Sequence, residues 1–194
     1  ILPWNPSVGS TVYSLAASGE TVYAGGLFTS LDGGTVRNYL AAIGTDGVLS
    51  AWDPNAGNIV YALAVFGPTV YAGGSFTTLD GGTSRNRLAA IGTDGVLQSW
   101  DPNAGGIVRA LAVGGGTVYA GGDFTTLDGG TPRSRLAAIG TDGVLQSWDP
   151  NANGTVQALA VFGSTVYVGG QFTTLGGQQY PYFAPIDVAT GLLK

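Results

Sequence analysis

The sequence has no cysteine, no histidine and no methionine, and its single lysine is Lys194. Without cysteine there is neither a disulfide framework nor a thiolate zinc site. Without histidine the commonest general base and metal ligand is missing, so neither a Ser/His/Asp nor a Cys/His constellation can be assembled. Seven basic residues against twelve acidic ones, a net charge of −5, leave no basic stripe to neutralise phosphates. Nucleic acid is therefore excluded as a partner. No apolar run approaches the roughly 20 residues that cross a bilayer as a helix, so no membrane span is expected. Nothing in this inventory calls for a cofactor or a metal, and an enzyme is not expected.

What is abundant is glycine. Gly and Pro together make 43 of 194 residues, a level that can accompany disorder. Here 44% of the residues are hydrophobic and fall in regular short runs. The glycines therefore read as turn and packing residues.

The runs repeat. Trp4, Trp52, Trp100 and Trp148 are spaced 48 residues apart, each followed by Asp or Asn and then Pro. The pairs Gly25-Gly26, Gly73-Gly74, Gly121-Gly122 and Gly169-Gly170 recur at the same interval, and Val60–Trp100 differs from Val108–Trp148 at six of 41 positions. Repeats beginning near 4, 52, 100 and 148 fill residues 1–194 as a single domain.

One repeat resolves into four short strands: 60–65, 69–76, 87–91 and 96–100, with a longer loop over 77–86. Asp94-Gly95 between apolar runs predicts a type I′ hairpin turn, which needs positive φ at both central residues. Four strands per repeat, with a Trp near the end of the fourth, predict an all-β fold: a β-propeller of four-stranded antiparallel blades. A lone sheet cannot bury both apolar faces, and stacking copies does so. Leu192-Leu193-Lys194 begins a strand that Ile1–Pro6 could complete, so residues 1–6 are a candidate closing strand of a four-bladed ring. The alternative is part of a larger propeller. That both segments belong to the same strand of the repeat favours closure.

The runs Trp52-Asp53-Pro54-Asn55-Ala56, Thr69-Val70-Tyr71-Ala72-Gly73-Gly74 and Leu88-Ala89-Ala90-Ile91 resemble a family of bacterial and archaeal β-propeller repeats of unknown function. The resemblance covers all four repeats. It implies a secreted or cell-surface location and transfers no catalytic residue. The fourth repeat departs from the pattern: Leu175–Tyr180 lacks the loop Asp and Arg, and Asp187–Gly191 is one residue longer than its counterparts.

Three sets of acids recur: Asp32, Asp80 and Asp128 in the long loop, Asp46, Asp94 and Asp142 in the hairpin turn, and Asp53, Asp101 and Asp149 after Trp. Paired carboxylates can hydrolyse glycosides, but Asp before Gly or Pro-Asn is first a turn residue. The acids are also too dispersed for a calcium loop. Asp32 with Arg37, Asp80 with Arg85 and Asp128 with Arg133 are expected to be ion pairs bracing the loop. These residues and the four tryptophans form the structural set.

Two positions vary among otherwise near-identical copies. One holds Tyr13, Tyr61, Arg109 and Gln157, the other Leu27, Ser75, Asp123 and Gln171. They are the candidate ligand- or partner-binding residues. The expected function is a non-enzymatic extracellular or cell-surface module for scaffolding, adhesion or assembly. Its partner would be a protein, other copies of itself included. The alternative is a lectin-like propeller that binds glycans or small molecules.

Overall fold

The computed structural model describes residues 5–194. Trp4, and with it most of the candidate closing strand, lies outside the described residues. The described chain is all β, without a helix, and divides into two compact units, Ile1–Ser99 and Trp100–Lys194, each holding two repeats.

In the first unit, β1 (Val12–Ser18), β2 (Thr21–Gly26) and β5 (Leu40–Gly44) form an antiparallel sheet in the order β1-β2-β5. Between them β3 (Ser30–Leu31) and β4 (Thr35–Val36) make a small hairpin. The second repeat copies this with β6 (Val60–Phe66), β7 (Thr69–Gly74) and β10 (Leu88–Gly92), and the hairpin β8 (Thr78–Leu79) and β9 (Thr83–Ser84).

In the second unit the third repeat has the sheet β11 (Val108–Gly114), β12 (Thr117–Gly122) and β15 (Leu136–Gly140), and the hairpin β13 (Thr126–Leu127) and β14 (Thr131–Pro132). The fourth has the sheet β16 (Val156–Phe162), β17 (Thr165–Gly170) and β20 (Phe183–Asp187), and the hairpin β18 (Thr174–Leu175) and β19 (Gln178–Gln179).

The expected fourth strand is reduced to one bridge per repeat: Ile43 with Leu49, Ile91 with Leu97, Ile139 with Leu145, and Ile186 with Leu193. The expected long loop, conversely, contains the small hairpin. The type I′ expectation at Asp94-Gly95 also fails. Gly95 has φ 91° while Asp94 is not left-handed, Gly95 N–H closes a turn onto the Gly92 carbonyl, and Gly92 N–H bonds Val96. This is a type I turn followed by a left-handed glycine, the three-residue hairpin solution. Asp94 contributes its side chain instead, accepting from Val96 N–H at 3.0 Å. Asp46 and Asp142 do the same for Val48 and Val144.

The core lies between consecutive sheets. In the first unit Tyr23, Leu40 and Ala42 on one face of the first sheet pack against Trp52, Val60, Leu63 and Val65 of the next repeat. In the second, Tyr119, Leu136 and Ala138 pack against Trp148, Val156, Leu159 and Val161. Gly25 and Gly121 make this approach possible. A Cβ on Gly25 would meet the Val60 side chain at 2.7 Å, and one on Gly121 would collide with Val156.

The tryptophans lock the junctions. Trp52 sets its edge against Tyr23 at 5.1 Å, and Trp148 does the same to Tyr119. Each indole N–H then donates forward at 2.9 Å, Trp52 to Gly92, Trp100 to Gly140 and Trp148 to Asp187. Trp52 and Trp148 thus each close one repeat in sequence and are buried under the next.

Candidate functional site

Each inner strand, the first of its repeat, opens with a β-bulge. Val60 pairs with Gly74 and Ala62 with Gly73, so the register shifts at Tyr61. The same shift falls at Tyr13, Arg109 and Gln157. The first variable set is therefore the set of bulge residues, whose side chains a bulge re-aims away from the regular pleat.

The second set lies directly beside it. Leu27, Ser75, Asp123 and Gln171 follow the glycine pairs, and their N–H groups bond the carbonyls of Thr11, Ile59, Ile107 and Thr155 at 2.8–2.9 Å. A Cβ on Gly26, Gly74, Gly122 or Gly170 would strike those same carbonyls, so glycine is required for the two segments to meet. In each repeat the two variable positions thus share one end of the sheet, as a rim.

In the first unit this rim carries a pair of tyrosines. Tyr13 and Tyr61 lie with ring centroids 5.2 Å apart at a tilt of 48°. Tyr13 and Leu27 are exposed.

In the second unit it is ionic. Arg109 gives both Nε and Nη2 to one carboxylate oxygen of Asp123, at 2.7 Å each, and Thr155 donates its hydroxyl to the other at 2.7 Å. Burial works to raise the pKa of Asp123. Hydrogen bonds from Arg109 and Thr155, with the charges of Arg109 and Arg135, outweigh it and hold the carboxyl below its ordinary value. Gln157 and Gln171 are exposed.

A third variable position belongs to this rim and was not singled out in the sequence. Tyr39, Arg87, Arg135 and Tyr182 have φ of 63–70°, left-handed values that bulky side chains rarely adopt. Each is held there by two backbone bonds: its N–H donates to the buried Phe at 28, 76, 124 or 172, and its carbonyl accepts from the second glycine of the pair. Strain of this kind costs on the order of 1–3 kcal/mol and collects at functional sites. The alternation Tyr, Arg, Arg, Tyr at equivalent places was the available signal.

The loop ion pairs are not formed as expected. Asp32 and Asp128 are exposed left-handed residues at the tips of their hairpins. Arg37 turns the other way, donating to the Ser50 carbonyl at 2.8 Å and approaching Asp53 at 3.6 Å. Arg85 and Arg133 donate to the carbonyls of Gln98 and Gln146. The arginines brace the bridge segment of their own repeat, and Asp32, Asp80 and Asp128 shape the hairpin. Among the described residues no three acids gather as a metal-ligating group.

No protein-family model matches the chain, and no curated protein matches it. Solved structures do. A computationally designed protein, Ika4, is similar over 90% of this chain and 92% of its own, with a TM-score of 0.58 at 18% identity. The extracellular domain of a putative hybrid two-component system from B. thetaiotaomicron is similar over 97% of this chain, with a TM-score of 0.58 at 15% identity. The chain spans about a fifth of that domain's length, 21%. At these identities the likeness is one of fold: an all-β, repeat-built architecture.

Proposed function

We propose that the repeats are blades of a β-propeller and that the chain is a non-catalytic extracellular module whose exposed sheet faces mediate protein interactions. One observation carries this reading. The apolar face that the junction inside each unit buries is exposed at the first and fourth repeats. Leu63 is 7% accessible, whereas its counterpart Leu15 is 62% accessible. Leu40 and Leu136 are fully buried, whereas their counterpart Phe183 is 58% accessible. Contiguous apolar surface of this kind marks interaction sites. The extracellular assignment draws on the repeat resemblance and on the extracellular domain among the structural neighbours.

The test is site-specific photocross-linking from position 162, where Phe162 is 80% accessible. A photoreactive residue placed there in producing cells is expected to capture a protein. Cross-linking to nothing but solvent and lipid overturns the reading.

A second reading, glycan binding, is favoured by the Tyr13–Tyr61 pair, with Tyr13 exposed and Tyr61 half-buried, whose rings offer an apolar platform with polar tips. Retention of the chain on immobilised polysaccharide that Tyr61→Ala abolishes would establish it. Equal elution of both proteins would remove it.

A further inference from the structure

The junctions inside each unit state what an exposed repeat face is shaped to receive. A receiving face presents a Tyr and a Gly from the middle strand of its sheet and an aliphatic residue from the edge strand beside it. The docking face presents a Leu flanked by small apolar residues on the following inner strand. The receiving set is Tyr23, Leu40 and Gly25 in one unit and Tyr119, Leu136 and Gly121 in the other. The docking leucines are Leu63 and Leu159.

The fourth repeat carries a receiving face that is exposed among the described residues. β17 pairs Gly169 with Phe183 and Tyr167 with Pro185, in the register that pairs Gly25 with Leu40 and Tyr23 with Ala42. Tyr167 and Phe183 lie stacked, centroids 6.1 Å apart and 17° between planes. A Cβ on Gly169 would meet only Ala158 and a distant carbonyl, whereas the same atom on Gly121 would collide with the docked valine. Ala158, Ala160 and Phe162 extend this surface along β16, all exposed. The first repeat carries the reciprocal docking face: along β1 the odd positions Tyr13, Leu15 and Ala17 are exposed, while Ala16 packs against the next repeat.

We infer that the receiving face of the fourth repeat binds the docking face of the first repeat of a second copy of this chain, head to tail. This deepens the interaction-module reading and rests on it. The contact continues the interface the chain already builds, in which the leucine that fills the gap over a glycine is Leu63 or Leu159. Leu15 is the same residue on the same strand, left exposed. A contact of this type is heterologous: it leaves one free face of each kind on every dimer and adds copies until a ring closes.

The test uses two surface variants of the full chain, Leu15→Glu and Phe183→Glu, in sedimentation velocity. Both positions are exposed, and unchanged thermal midpoints verify that each variant folds. The wild type is expected to form assemblies that grow with concentration. Each variant alone keeps one competent face but cannot pair with itself, so its dissociation constant should rise roughly 30-fold or more. An equimolar mixture should give a dimer and nothing larger, because Leu15→Glu supplies the receiving face and Phe183→Glu the docking face. A wild type that stays monomeric overturns the inference, as does a mixture that stays monomeric. If only one variant weakens association, the contact is a symmetric one and head-to-tail docking is wrong. Photocross-linking to a different protein, with a monomeric wild type, would leave the interaction-module reading standing and remove this one.

Discussion

Trp52 donates its indole N–H to the carbonyl of Gly92 at 2.9 Å, reaching from the end of one repeat into the next. The bond ties residues forty apart, and the indole meets the Tyr23 ring edge-to-face, so it belongs to both repeats at once. Trp52→Ala should therefore cost roughly 3–5 kcal/mol through lost burial and an open cavity. Trp52→Phe should cost less, since it keeps much of the packing and the Gly92 carbonyl still accepts from Gly95 N–H. Chemical denaturation of both variants checks the order. An unchanged midpoint for the alanine variant would contradict the role assigned to the tryptophans.

The glycine pairs yield a sharper contrast. Gly121→Ala forces a methyl into Val156 and should destabilise the chain, by about 1–3 kcal/mol for an overpacked site. The equivalent Gly169→Ala has room, with Ala158 at 3.6 Å, and should leave the thermal midpoint of the monomer unchanged. Because it lies on the exposed receiving face, it should still weaken self-association. Equal destabilisation by the two variants would show that the fourth face is covered.

The rim of the second unit makes a prediction in pH. Asp123 has its folded-state pKa lowered, so its carboxylate stabilises the fold above the unfolded value of about 3.9. That contribution is lost as pH falls through the lower folded value. Asp123→Asn should therefore melt below the wild type at neutral pH, and the gap should close on acidification below about pH 4. The pair is partly exposed, so the gap should be modest and shrink with added salt. A gap that persisted at low pH would mean the loss came from packing.

How much of this was legible in the residues depends on which forces set each feature. The 48-residue period exposed the strand series, because the same apolar runs and glycine pairs must recur wherever the same junction is built. The two variable sets were visible as well, since unlike residues at 13, 61, 109 and 157 stand out among copies. That they share one rim was not legible. It depends on the bulge at Tyr61, which no residue type announces, and on the close approach at Gly74. Turn chemistry misled at Asp94, where the side chain bonds Val96 and lets the backbone avoid the left-handed region that Asp-Gly suggested. The Asp32–Arg37 spacing misled because a hairpin lies between them, and the chain reverses before Arg37 reaches the Ser50 carbonyl.

The central claim is that apolar sheet faces buried between repeats are exposed at the first and fourth repeats and used there. Hydroxyl-radical footprinting across a concentration series tests it at side-chain level. At low concentration Leu15, Phe162 and Phe183 should be labelled strongly, while Leu63 and Leu136 are labelled little. As concentration rises, Leu15, Phe162 and Phe183 should become protected together, with Leu63 and Leu136 unchanged. Labelling of Leu15 and Phe183 that does not vary with concentration, whether strong or absent throughout, would contradict the account.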